Sequence, residues 1–404
     1  MGERNYEFRR RLSEIHKPGR RNPDVKPEAN ETEITDSWKI VIDSEAGSLI
    51  YRAGRDLEDY LMVSMGVSVP LVRTDVMSVL ENSCEKCIVL AAGLQLPESC
   101  EQPDVTRSYR LVIKDGCVIV NGYDERGTAQ GSYYLEDMMN MREAPFLKKM
   151  DIVRKPLFQP RMVHSGWGID EFPDAHLNAI AHAGMDAILL FVSGVNSIPG
   201  PYRGTLPEDK LFDIYMDFND LIRRASSFGI DVYMYSYLES DKHPDDPDAE
   251  EYYEGTYGRI FKECPGFKGV VLVGESCEFP SKDPNTTMVM RKDLAKLDVQ
   301  SGKPTPGWWP CFDYPQWLNI IKKVVRKYNS DADIVFWTYN WGWAPEEARL
   351  ELIKNLPEDI TLLVTFEMFE DYERNGVKAR CVDYTLAFEG PGKYFTSEAK
   401  VAHE

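Results

Sequence analysis

The sequence predicts an α/β protein: a (β/α)8 TIM-type barrel preceded by a small α+β domain. Three observations carry that expectation. From Arg161 onward, apolar runs recur with amphipathic stretches between most of them, as buried parallel strands alternating with helices require. Earlier in the chain, "YRLVIKDGCVIVNGYD" (109–124) alternates on both sides of Asp115-Gly116, the pattern of a hairpin with a two-residue loop. No strand is followed by a GxGxxG or GxxxxGK[ST] turn, which disfavours a doubly wound open sheet.

Residues 1–35 are charged, contain prolines and lack any period, so a loosely packed lead-in is expected there. "WKIVID" (38–43) alternates as a strand, and "SLIYRAGRDLEDYLMVSMG" (48–66) spaces its apolar residues as a helix does. Strand-like "KCIVLAA" (86–92), the hairpin, and helical "ERGTAQGSYYLEDMMNM" (125–141) follow. Together they make 36–155 an α+β domain with helices on one face of a single sheet. The barrel is assigned to 156–404. Its strands are "RMVHSGWG" (161–168), "DAILLFV" (186–192), "DVYMYSYL" (231–238), "GVVLVGE" (269–275), "DIVFWTYNW" (333–341), "ITLLVTFE" (360–367) and "DYTLAFE" (383–389). "EDKLFDIYMDFNDLIRRASSFG" (208–229) and "PQWLNIIKKVVRKYN" (315–329) are the clearest helices, and "YFTSEAKVAHE" (394–404) reads as the seventh. Seven strands are visible where a full barrel has eight, so truncation at the C-terminus or an incomplete barrel is expected.

Charge narrows the function. Lys and Arg number 47 against 66 Asp and Glu, a net charge of -19, which repels a phosphate backbone, and no basic stripe offsets it. Nucleic acid is excluded as a partner. No run approaches the roughly 18 apolar residues of a membrane span, and the first residues have no secretory apolar region. The expected compartment is the cytoplasm, with no membrane partner and homo-oligomerisation left open. The eight cysteines are scattered, as reduced thiols would be. Cys84 and Cys87 form one CxxC, with Cys100 the only near third ligand, so buried thiols are favoured over zinc. Neither a metal nor a cofactor is implied.

The chemistry of a parallel barrel sits at the C-terminal ends of its strands. Here those ends carry His164 and Trp167; Tyr235, Tyr237 and Glu239; Glu275 and Glu278; Trp337, Tyr339, Asn340, Trp341 and Trp343; Glu367 and Glu370; and Glu389. They offer carboxylates and aromatics, with no serine elbow and no metal-spaced histidines. Aromatic faces stack on sugar rings, and paired carboxyls supply the acid and the base or nucleophile of glycoside cleavage. Any one glutamate beyond a strand is more often a solvated charge, and His164 more often an interior hydrogen-bonding residue. Glu275 stands apart because it follows Gly274 directly on an apolar run. Glu367 is its partner carboxylate and Glu278 the substitute. The acidic, Pro-rich run 241–258 reads as a solvated loop over one side of the site, with calcium a lesser alternative.

"SYRLVIKDGCVIVNGYDERGTAQGSYYLEDMM" (108–139) resembles the end of the small domain that precedes the barrel in family 20 β-hexosaminidases and family 67 α-glucuronidases. "FQPRMVHSGWGIDEF" (158–172) is similar to the first strand and loop of those barrels. The resemblance in domain order covers most of 36–404 and implies a glycosidase architecture. Family 20 barrels carry an adjacent Asp-Glu pair after the fourth strand, the glutamate as general acid and the aspartate orienting an acetamido group. This chain has Gly274-Glu275-Ser276, so Glu275 takes the acid's place and no aspartate precedes it.

The expected function is hydrolysis of an O-glycosidic bond in an oligosaccharide or glycoconjugate, with an N-acetylhexosaminide- or uronide-like sugar within reach. Glu275, Glu367 and Glu278 are its catalytic candidates. A barrel that binds carbohydrate without cleaving it is the alternative. A lyase or isomerase would want a metal or a Lys or His base, which these strand ends scarcely offer.

Overall fold

The computed structural model describes residues 14–82, 84–96, 101–164, 172–193, 202–204, 214–238, 240–273, 280–282, 312–337, 346–363, 370–374, 377–381 and 401–402. They divide into two compact units, one of Met1–Arg161 with Phe172–Asp186 and Arg223–Ile230, the other of the remainder.

The first unit is built on a six-stranded mixed sheet. Its strands are β1 (Lys39–Asp43), β2 (Leu71–Thr74), β3 (Cys87–Ala92), β4 (Tyr109–Lys114), β5 (Cys117–Gly122) and β6 (Met150–Arg154), ordered β2-β1-β3-β5-β4-β6. The hairpin forms in the expected register, Lys114 opposite Cys117, with Gly116 at a φ of 71°. Alternation sorts the side chains between two faces. Ile40, Ile88, Val118 and Ile113 pair across the sheet and join one core with helices α1 (Ser48–Met65) and α3 (Glu125–Arg142). Val41 and Val89 face the other way, against the short helix α2 (Val76–Glu81), so helices lie on both faces rather than one. Asp124 caps α3 by accepting from the Gly127 N–H at 2.7 Å. A Cβ on Gly131 would stand 2.3 Å from Val120 Cγ1, so glycine is what lets α3 seat against the sheet.

The charged lead-in is tied down over 14–35. The backbone N–H groups of Arg21 and Asn22 donate to the carbonyls of Ser64 and Glu143, and Glu31–Glu33 pairs antiparallel with Phe146–Lys148. Arg142, in the last turn of α3, grips Glu31 with two hydrogen bonds of 2.6 and 3.1 Å. Periodicity could not reveal this, because the segment is held by ion pairs and backbone bonds rather than by an apolar stripe. The Arg142 guanidinium holds the Glu31 carboxyl below the usual carboxylate range. A depressed carboxyl stabilises fully above its unfolded pKa, and that stability is lost as pH falls through the folded value. Glu31→Gln should therefore lower Tm at neutral pH and flatten the acid limb of a Tm-against-pH curve. An unchanged acid limb would show that the pair contributes nothing.

The second unit carries a seven-stranded parallel sheet in which each strand pairs with its successor: β7 (Met162–His164), β8 (Ala187–Ser193), β9 (Asp231–Tyr237), β10 (Gly269–Val273), β11 (Asp333–Trp337), β12 (Thr361–Leu363) and β13 (Val401–Ala402). This sequential parallel order is that of a (β/α) barrel. Alternate residues form one inward core, Ala187 and Leu189, Tyr233 and Tyr235, Val271 and Val273, and Val335, with Met162, Phe191, Trp337 and Leu363 at its margin. Gly269 lies in this layer opposite Tyr233 and Asp333. A Cβ there would come within 2.3 Å of the Asp333 carbonyl oxygen and 2.9 Å of the Tyr233 ring. Gly269→Ala should cost roughly 1–3 kcal/mol in a denaturant titration, the usual penalty for overpacking a core. A smaller loss would mean that the strands can part without cost.

Three expectations change. Helix α5 runs only over Phe218–Ser226, and Ile214–Met216, expected to be helical, is a strand paired with Tyr202–Gly204. Asp217 accepts from the N–H groups of Asn219 and Asp220 and marks the true start, while Ile214 and Met216 fit a period of two as well as a helix. The acidic run 241–258 is not merely a solvated loop. It contains a helix, Ala249–Tyr253, and a π-helical turn, Glu254–Gly258, that bury Tyr253 and Tyr257. Finally, Val401 and Ala402, placed in the expected seventh helix, pair in parallel with Leu362 and Leu363, while the strand expected at 383–389 lies outside the described residues. Helix α6 (Tyr314–Arg326) matches its expectation, and α7 (Glu346–Lys354) precedes β12.

Candidate active site

Three of the expected site residues come together at the C-terminal ends of the barrel strands. The ring of His164, last in β7, meets Phe191 of β8 edge-on at 4.5 Å and Tyr235 of β9 at 5.9 Å. Tyr235 continues the row, 4.8 Å from Phe191 and 6.0 Å from Trp337 of β11, its ring perpendicular to the indole. The strands fold this way because apolar side chains of the same parity face inward on all of them. Tyr235 is only 4% exposed and is mostly core, whereas Phe191 and Trp337 are half-buried and His164 is exposed. Half-buried rings at a strand end can present an apolar face to a sugar. Phe191 was missed in the sequence, although its parity with Ala187 and Leu189 in "DAILLFV" marks it.

Glu275, Glu278, Glu367, Trp167, Tyr339, Asn340, Trp341 and Trp343 lie outside the described residues, as do Glu239 and Glu389. Tyr237 ends β9 opposite Ser193. Glu370 opens a strand, Glu370–Arg374, that pairs antiparallel with Val377–Cys381, a hairpin the sequence reading did not anticipate.

The loops after β9 and β10 meet on one buried carboxylate. Asp313 stands at the N-cap position of α6 yet makes no side-chain cap there. Its Oδ2 accepts from Ser281 Oγ at 2.6 Å and from the Lys282 N–H at 2.8 Å, and its Oδ1 faces His243 Nε2 at 3.3 Å. The His243 Nδ1 accepts the Asp245 N–H at 3.0 Å, which leaves the ring proton on Nε2, toward Asp313. Asp313 and His243 are buried to within 1% and 2% exposure. The backbone N–H of His243 holds the Asp246 carboxyl below its usual range, and Lys242 pairs with Asp248 at 2.8 Å. Much of the acidic loop is thus engaged within the protein. Sequence reasoning missed Asp313, and only its place before the helix-starting Tyr314-Pro315 hinted at a role.

The CxxC cysteines stay free thiols, as do Cys117 and Cys264, while Cys100 lies outside the described residues. Burial and the neighbouring thiols push Cys84 up, its hydrogen bond to Cys117 foremost. Among the described residues, no helix is long and apolar enough to cross a membrane.

No protein-family model matches the chain, and no curated protein matches it in sequence. Solved structures match it by shape. The GH20 β-N-acetylhexosaminidase of Streptomyces coelicolor A3(2) is 13% identical, with a TM-score of 0.55 over 94% of this chain and 83% of that one. A mutant Streptomyces plicatus β-hexosaminidase in complex with GlcNAc is 14% identical, with a TM-score of 0.55 over 96% of this chain and 85% of that one. CpGH84B is 14% identical at a TM-score of 0.51 over 86% of this chain, which spans 56% of CpGH84B's length. The likeness bears on the family 20 part of the resemblance drawn from the sequence and lends nothing to the family 67 part. At these identities it speaks for fold alone: this chain is a TIM-type barrel preceded by a small α+β domain, as in the family 20 hexosaminidases.

Proposed function

We propose that the protein is a glycoside hydrolase whose barrel, within 156–404, cleaves an O-glycosidic bond with Glu275 as general acid/base and Glu367 as second carboxylate. One observation carries this reading. Val273, Trp337 and Leu363 lie on a single rung of the sheet, at the ends of β10, β11 and β12. Glu275 follows Val273 by two residues and Glu367 follows Leu363 by four, so both share the parity of inward-facing positions. In the sequence, two carboxylates thus follow shortly after the strands that flank a half-buried tryptophan. Burial against Trp337 or Tyr339 would raise one carboxyl and keep it protonated near neutrality. Glu278 has the opposite parity and ranks behind Glu275. His164, Phe191 and Trp337 supply aromatic and polar wall for the sugar, with Tyr235 packed behind them.

The fold likeness to N-acetylhexosaminidases makes an N-acetylhexosaminide the first substrate to try, although Gly274 stands where family 20 has its aspartate. The competing reading is a barrel that binds sugar without cleaving it. Titration calorimetry with N-acetylglucosamine and glucuronic acid, alongside turnover of the matching aryl glycosides, separates the two. A hydrolase turns over at least one of them, whereas binding with no turnover points to the carbohydrate-binding barrel.

A further inference from the structure

The first unit holds a second cluster of chemically capable side chains. His16 from the lead-in, Glu136 from α3 and His182 from helix α4 (Asp174–His182) converge so that one ligand atom of each lies within 4.8 Å of the others. His16 Nε2 is 3.4 Å from Glu136 Oε2, and His182 Nε2 is 3.5 Å from Glu136 Oε1. All three side chains are about nine-tenths buried, with exposures of 10%, 6% and 11%. His16 Nε2, His182 Nε2 and Glu136 Oε1 nevertheless have no hydrogen-bond partner. Buried polar atoms are nearly always satisfied, so a cluster of such atoms at separations beyond hydrogen-bonding geometry calls for a shared partner.

We propose that this cluster is a binding site for a divalent zinc-class ion, held by two imidazoles and one carboxylate. Zinc bonds of 2.0–2.2 Å in a tetrahedron put neighbouring ligand atoms about 3.3–3.5 Å apart, and each imidazole stands at about that separation from its own oxygen of Glu136, so the carboxylate would hold the ion through both oxygens or turn to present one. The tautomer fits as well. His182 Nδ1 lies 2.9 Å from the Asn178 carbonyl, which can only accept, so Nδ1 carries a proton and Nε2 is the nitrogen that an ion would take on displacing its proton. Such an outer hydrogen bond is the usual way a ligating histidine is oriented. Asn178 also donates to the half-buried Asp56 at 3.4 Å, a second carboxylate beside the site with one oxygen unpartnered. Two imidazoles favour zinc, cobalt or nickel over magnesium or calcium. His182 also lines a cavity of about 170 Å³ together with Gln130, Tyr133 and Asp137, on whose side a water would complete the coordination. The ion would join stretches of chain centred on residues 16, 136 and 182, so its binding would stabilise the fold.

The test uses the full chain, stripped with chelator, dialysed and titrated with zinc chloride against a chromophoric competitor. Bound metal is counted by mass spectrometry, and the cobalt(II) form is examined for tetrahedral ligand-field bands. The wild type should bind one equivalent and gain thermal stability. His16→Ala and Glu136→Gln should each weaken binding at least about 100-fold, the upper range for losing even an outer partner of a metal ligand. His16 lies outside every helix and strand, so His16→Ala is the variant to rely on if Glu136→Gln misfolds. A wild type that binds no zinc at micromolar concentration, or variants that bind as the wild type does, would overturn the proposal. The cluster would then be a charged His-Glu-His network.

Discussion

Glu275→Gln is expected to lower kcat on an aryl glycoside with a poor leaving group, such as phenol, at least about 100-fold, the lower range for removing a positioned acid or base. The change keeps size and hydrogen-bonding capacity but removes the proton that must reach the leaving oxygen. KM should move little if, as proposed, the aromatic surface rather than this carboxyl grips the sugar. The loss should grow as the leaving group becomes more basic, since poor leaving groups depend most on protonation. A fall of less than about tenfold would remove Glu275 from the role and pass it to Glu278.

Asp313→Ala is expected to act on stability and activity together. The substitution withdraws one buried acceptor from Ser281 Oγ, the Lys282 N–H and His243 Nε2. Hydrogen bonds to a charged acceptor are worth more than neutral ones, and the buried Ser281 hydroxyl and the Lys282 N–H would lose this acceptor, so roughly 3 kcal/mol of destabilisation should follow. Ser281 and Lys282 lie only a few residues beyond Glu275 and Glu278 in the loop after β10. Freeing that anchor should lower kcat even where the variant is still fully folded, as circular dichroism would verify. Asp313→Asn keeps one acceptor oxygen and should recover part of both losses. Full activity in a folded Asp313→Ala protein would show that the anchor is structural only.

Elements whose apolar pattern had one reading were legible. The hairpin at Asp115-Gly116, helices α1, α3 and α6, and the six strands from β7 to β12 follow their periodicity to within a few residues. Elements held by polar contacts were not. The lead-in is fixed by Arg142 and by backbone bonds, and Ile214–Met216 was misread because three consecutive apolar residues suit a strand as well as a helix turn. The acidic run hid its buried tyrosines among carboxylates. Strand-end position and parity were enough to single out His164, Tyr235 and Trp337, whose rings stand in one row. Asp313 escaped because its partners come from loops about 30 and 70 residues away in sequence, which no local pattern encodes. The His16, Glu136 and His182 cluster escaped for the same reason.

The most direct test of the account is release of the aryl alcohol from N-acetylglucosaminide, glucuronide, galactoside, glucoside and rhamnoside substrates, with wild type and Glu275→Gln side by side. The account predicts turnover of at least one substrate by the wild type and its loss in the variant, which would name the sugar at once. Equal turnover by both proteins, or turnover by neither, would contradict it.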